Sequence, residues 1–101
     1  MIPEPVIRVG YIGSGWTERV QIPAFTHGGL KPQAICSGHI DNARRVADKF
    51  NMPEVYSSWQ ELIASETVDI VSIVTPPSMH KEIAIAALQA APAVVYAEPN
   101  W

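Results

Sequence analysis

Residues 6–25 read VIRVGYIGSGWTERVQIPAF. The β-branched run Val6, Ile7, Val9 and Ile12 passes directly into Gly13-Ser14-Gly15 and then into a segment with helical spacing. That order is strand, glycine turn, helix N-terminus. Glycines let a backbone come close to an anion, and the free N–H groups and dipole of a first helical turn point at it. Glycines at two positions after a strand are a weak signal, because Glu18 stands where the G-x-G-x-x-G pattern has its third glycine. Two readings stay open on these residues. Gly13, Ser14, Gly15, Trp16 and Thr17 form a phosphate or dinucleotide cradle, with Trp16 packed on the ligand side, or the turn is merely tight and Trp16 covers it.

Outward from this stretch, short apolar runs alternate with helical patterns. The first helix is expected from about Thr17 to His27, kinked or cut short by Pro23, which removes a backbone donor. Gly28-Gly29 and Pro32 punctuate the return, and Gln33 to Ser37 is a second strand. Asp41 is the expected N-cap of a helix to Phe50, in which Ala43, Val46, Ala47 and Phe50 share one face. Glu54 to Tyr56 is a short third strand, and Ser58-Trp59-Gln60-Glu61 matches a capping box. Val68 to Val74 has no clean alternation, which predicts a central strand buried on both faces. Pro76-Pro77 delays the next helix to Ser78, after which Ile83, Ala84, Ala87, Leu88 and Ala91 form one apolar face. Val94 to Ala97 is the last strand. Alternating strands and helices with crossovers too long for hairpins require parallel strands and right-handed connections. The expected fold is α/β, a doubly wound, mostly parallel sheet forming a single domain over residues 1–101, with 1–5 as a lead-in. Ligands of such sheets bind at the carboxyl ends of the strands, where the strand order reverses.

Composition narrows the function classes. A chain of 101 residues builds one core and leaves no room for a second domain. A formal charge of −3 with scattered basic residues offers no stripe for a phosphate backbone, so no nucleic-acid partner is expected. The single cysteine, Cys36, precludes an internal disulfide and fits a reducing compartment. No stretch approaches a membrane span and the N-terminus lacks a signal-peptide pattern, so the expectation is a cytoplasmic protein with no membrane association.

The segments GSGWTERVQIPAF, ICSGHIDNARRVADKFNMPEVYSSWQEL and VDIVSIVTPPSMHKEIAIAAL together resemble the N-terminal Rossmann domain of the glucose–fructose oxidoreductase, inositol dehydrogenase and MocA-like family. The likeness covers nearly everything from Val6 to Pro99. Its most specific part is Thr75-Pro76-Pro77-Ser78-Met79-His80, similar to the family's T-P-P-x-x-H loop beside the cofactor. What the resemblance implies is NAD(P) binding and hydride transfer on sugars, polyols and related hydroxyl compounds. It puts Thr75, Pro76, Pro77 and His80 at the nicotinamide half. Without it, His80 is an exposed residue of a first helical turn.

The chain departs from the family pattern in two ways. The family's fifth strand ends in Glu-Lys-Pro, whose lysine assists proton transfer; here Ala97 is followed by Glu98-Pro99-Asn100-Trp101, without the lysine. The family's C-terminal domain, which supplies the substrate pocket, a catalytic histidine and the oligomer interface, is absent from the 101 residues. The expectation is therefore a truncated domain that is inactive alone, has no catalytic residue of its own, and awaits a substrate domain or forms a homo-oligomer. The alternative is a non-catalytic Rossmann module that self-associates or binds a protein partner. Glu98 either acts near the nicotinamide end or is simply solvated.

Cofactor choice turns on the end of the second strand, Cys36-Ser37-Gly38-His39. No carboxylate stands there to accept from ribose hydroxyls, and Ser37 can bond a 2′-phosphate, with His39, Arg44 and Arg45 nearby. The choice leans towards NADP over NAD, although histidine cannot form arginine's bidentate fork. Cys36 reads as a small buried hydrophobe rather than a nucleophile. His27, His39 and His80 are spaced too irregularly for a metal site. Trp59 reads as packing.

Overall fold

The structure is a computed structural model that describes residues 6–13, 15, 17–75, 77–90 and 94–97. β1, Arg8–Ile12, is followed by a π-helical turn, Thr17–Gln21, which runs into α1, Ile22–His27. Then come β2, Lys31–Cys36; α2, Ile40–Phe50; β3, Glu54–Tyr56; α3, Trp59–Ile63; β4, Ile70–Ile73; α4, Pro77–Gln89; and β5, Val94–Ala97. All neighbouring strands are parallel, in the order β3-β2-β1-β4-β5. The chain works outward from β1 to β3 and then crosses to β4 on the other side. This is the doubly wound architecture, and its reversal point lies between β1 and β4.

Alternation along the strands divides the core into two layers. Val9, Tyr11 and Ile35 point to one face, where Ile22, Ala43, Val46, Ala47 and Met52 cover them. Ile12, Ala34, Cys36, Val71 and Ile73 point to the other, against Leu62, Ile83 and Ala87. Both faces of the central strands are thus dry, which is why the 68–74 run lacks a clean polar alternation. Gly10 serves the second layer: a Cβ there would stand 2.9 Å from Leu62 Cδ2 and from Val68 Cγ1, so a side chain would push α3 off the sheet.

Three local expectations change. α2 begins at Ile40, with His39 in the extended N-cap position and Asp41 inside the first turn. The Ser37 hydroxyl orders this entry by accepting from His39 N at 3.2 Å and donating to His39 O at 2.8 Å. At Ser58 the cap holds, since its Oγ accepts from Glu61 N at 3.3 Å. The Glu61 carboxylate, however, accepts from the Ser57 and Ser58 hydroxyls. On α4, Ile83 and Ala87 are buried while Leu88 is 66% exposed. Leu88 lies five residues beyond Ile83, about 140° further round the helix, so one face cannot bury both. Ala91 lies outside the described residues. Among the described residues no helix is long and apolar enough to cross a membrane.

Candidate functional site

The parallel register brings the ends of three strands to one edge. Ile12 pairs with Cys36 on one side and with Ile73 on the other. Beyond them, Gly13 N donates to Cys36 O at 2.8 Å and Val74 N donates to Ile12 O at 2.8 Å. The turn after β1, the 37–39 loop after β2 and Thr75 after β4 therefore share the carboxyl edge at the reversal point. Of the residues singled out in the sequence, Gly13, Gly15, Thr17, Ser37, Gly38, His39, Thr75, Pro77 and His80 are placed by the structure. Ser14, Trp16, Pro76 and Glu98 lie outside the described residues.

The two glycines have different reasons to be glycine. Gly13 has φ 126°, and a Cβ there would overlap the Val74 carbonyl oxygen, so the neighbouring strand end forbids a side chain. Among the described residues an added Cβ at Gly15 meets only the Arg19 guanidinium, at 3.9 Å, and the space above it is otherwise open. The described residues do not need glycine at 15 for their packing. Open space over a glycine at a helix entry is the room a pyrophosphate requires.

Two hydroxyls at the same edge are buried without a hydrogen-bond partner, Thr17 Oγ1 and Thr75 Oγ1. Buried polar atoms are ordinarily paired, so each is a donor in want of an acceptor. Thr17 opens the π-helical turn and Thr75 follows β4, one on each side of the reversal point. A polyanionic ligand with hydroxyl-rich sugars suits both. His80 is part-buried in the first turn of α4.

The edge after β2 is less open than its residue types suggest. The Ser37 hydroxyl is committed to both backbone groups of His39. Its proton is spent, so it cannot donate to a phosphate while that turn is intact. Arg45 is committed as well: Nη1 donates to Glu18 Oε2 at 2.7 Å and Nη2 to Glu18 Oε1 at 2.9 Å. Lys49 Nζ approaches the same carboxylate at 3.3 Å. Hydrogen bonding from Arg45 is the main reason the Glu18 carboxyl is held down to about 2. Gly38 and His39 are exposed.

Sequence reasoning missed this clasp and one buried pair. Ser72 Oγ, inside β4, donates to Gln21 Oε1 at 2.7 Å, which fastens the π-helical turn to the sheet. Thr17 and Gln21 are the residues of that turn that face inward, while Glu18 faces α2. A carboxylate is thus tolerated at the third position of the glycine pattern because that position points along the surface and not into β1. The only sequence signal for the clasp was the Arg45 and Lys49 pair at i, i+4 on one stripe of α2. Its acidic partner lies 27 residues before Arg45. Cys36 is buried and its thiol is pushed up to about 11 by burial, as a packing residue should be.

Residues 7–99 match the model of an oxidoreductase family with an NAD-binding Rossmann fold, GFO_IDH_MocA. An uncharacterized oxidoreductase from Synechocystis is 34% identical over 101 residues, covering 98% of this chain and 27% of that protein. The structure of biliverdin reductase from Synechocystis, in complex with biliverdin and NADP+, is 32% identical with a TM-score of 0.78, covering 92% of this chain and 29% of that one. The structure of an NAD-binding oxidoreductase from Klebsiella pneumoniae is 26% identical with a TM-score of 0.83, covering 92% of this chain and 27% of that one. The chain thus spans between a quarter and a third of the length of these proteins. With the strand order, the glycine turn and the match over residues 7–99 in agreement, the chain belongs to the GFO_IDH_MocA oxidoreductase family and has its NAD-binding Rossmann fold.

Proposed function

We propose that this chain binds a nicotinamide dinucleotide at the carboxyl edge of its sheet and is the nucleotide-holding part of an oxidoreductase. The observation that carries the reading is the open space above Gly15, together with the unpartnered Thr17 and Thr75 hydroxyls that follow β1 and β4 on the two sides of the strand reversal. Gly13, Ser14, Gly15, Trp16 and Thr17 hold the pyrophosphate, with the first N–H groups of the helix turned to its charge. Ser37, Gly38 and His39 lie at the adenosine ribose. Thr75, Pro76, Pro77 and His80 lie beside the nicotinamide, with Glu98 following β5. The dinucleotide, when bound, supplies the hydride chemistry. The chain's own residues bind it, orient it and exclude water from one side of it.

In the whole family protein, the proposed reaction is hydride transfer between nicotinamide and a sugar- or polyol-type hydroxyl. The lysine of Glu-Lys-Pro, which by family likeness handles the hydroxyl proton, is not in Glu98-Pro99-Asn100-Trp101. The 101-residue chain alone is therefore expected to bind nucleotide and not to oxidise sugars. Fluorescence titration of the purified chain with NADH and with NADPH tests the reading. Saturable binding of either supports it, and no binding of either up to millimolar concentration overturns it.

A second reading is favoured by the outward apolar residues of α4, Ile85 at 45% and Leu88 at 66% exposure. On this reading the chain associates through that helix, with a second copy or with a protein partner, whether or not a nucleotide is bound. Light scattering over a wide concentration range tests it, and a monomer throughout would count against it.

A further inference from the structure

Glu18 occupies the third position of the glycine pattern, one turn into the helix that leaves Gly15. Its side chain is 13% exposed, whereas those of Arg45 and Lys49 are 55% and 57% exposed. The carboxylate is thus the settled member of the cluster and the two cations lean onto it. Arg45 presents its fork to both carboxylate oxygens, at 2.7 and 2.9 Å. The same Nη2 also donates to Asn42 Oδ1 at 3.2 Å. Asn42 stands in the first turn of α2, so the guanidinium is drawn towards the end of α2 that begins directly after Ser37, Gly38 and His39.

This places the clasp on the seam between the glycine turn's helix and the middle of α2, where Asn42 is the contact that ties Arg45 back to the first turn. A dinucleotide crosses that seam with its adenosine ribose at the end of β2. A 2′-phosphate there needs donors. Arg45 has the right fork, but its donors are shared between Glu18 and Asn42, and Ser37 has given its proton to His39 O. Other charged groups of α2 at this end, Asp41 and Arg44, are exposed and of opposite sign. His39 has no side-chain cap bond to the helix it precedes.

We propose that Glu18 is a specificity-determining residue: by holding Arg45 it withholds the fork from a 2′-phosphate and makes the chain prefer NAD(H) to NADP(H). The inference rests on the dinucleotide reading of the previous subsection. It requires no contact between Glu18 and the cofactor. The carboxylate acts through Arg45, and is a positioning residue in that sense.

The test is a fluorescence titration with NADH and NADPH of the 101-residue chain, of Glu18→Gln, and of Glu18→Gln combined with Arg45→Met. Wild type is expected to bind NADH more tightly than NADPH. Glu18→Gln is expected to tighten NADPH roughly five- to tenfold while NADH changes less than about twofold, since the charge that holds the fork is removed and the fork released. Adding Arg45→Met should remove the gain, and raising the salt concentration should shrink it. Circular dichroism establishes that each variant is folded, and Glu18→Ala serves as a second variant of the same sign. A wild-type preference for NADPH overturns the proposal. So does an NADPH-to-NADH ratio that Glu18→Gln and Glu18→Ala leave unchanged. Binding of neither dinucleotide by any of the proteins overturns the dinucleotide reading itself, and is distinct from both.

Discussion

The carbonyl oxygen of Val74 occupies the place where a Cβ on Gly13 would stand, so the end of β4 excludes a side chain from the turn after β1. A larger residue at 13 would damage the fold before it reached any ligand. Gly13→Ala is expected to cost at least about 2 kcal/mol, through strain at a positive φ and displacement of β4. Urea unfolding measures this as a lowered midpoint at unchanged slope.

Gly15 is the discriminating partner of that experiment. Its neighbourhood is open, with the Arg19 guanidinium the nearest atom group at 3.9 Å from an added Cβ. Gly15→Val is expected to leave the unfolding midpoint close to wild type and to weaken NADH binding roughly tenfold or more, because the side chain would fill the pyrophosphate's room. Equal loss of stability in both glycine variants would contradict the division of roles.

The bond from Ser72 Oγ to Gln21 Oε1 at 2.7 Å joins β4 to the π-helical turn at a fully buried point. Ser72→Ala removes it with little change of volume. A loss of about 1–2 kcal/mol is expected from chemical denaturation, the size of one buried hydrogen bond.

Acid should unfold the protein through its paired carboxylates. Burial by itself would raise the Glu54 carboxyl, but hydrogen bonds from Thr67, Tyr56, Gln33 and Ser65 outweigh it and hold the group down to about 2. Glu18, bonded by Arg45 and Lys49, is also held to about 2, and Asp69 is lowered by its bonds from Arg8. Each is depressed in the folded state relative to the unfolded chain. Their stabilisation is complete above the ordinary carboxylate range, near 4.5, and is lost as pH falls from there towards 2. Glu54→Gln should flatten this part of the stability–pH curve, measured as thermal midpoints between those limits. Loss of stability only above neutral pH would contradict the assignment.

Cys36 is 5% exposed and its thiol is raised to about 11, so almost no thiolate is present at neutral pH. A thiol-specific disulfide reagent is expected to react with the native protein far more slowly than with the urea-unfolded chain. Rapid stoichiometric labelling of the native form would show that β2 opens readily.

Much of the architecture was legible in residue order because its signals are local. The later half of the β-branched run before Gly13, the Ser58 cap, the Pro76-Pro77 break and the unalternated 68–74 run each act within a few residues; they reappear as β1 from Arg8, the cap of α3, the start of α4 at Pro77, one residue earlier than expected, and the strand Ile70–Ile73. The alternation of these elements then left a parallel, doubly wound sheet as the expected arrangement. The glycine turn, too, was legible as a turn, with an anion cradle as one of its two readings. Tertiary structure alone decided what depends on distant pairs. It separated Gly13, barred by Val74, from Gly15, open to a ligand. It spent Ser37 on its own turn and Arg45 on a carboxylate 27 residues away. It also turned Leu88 outward when Ile83 and Ala87 took the buried face of α4. Helix rotation and charge pairing across elements are set by which surfaces meet in space, and no local spacing carries that information.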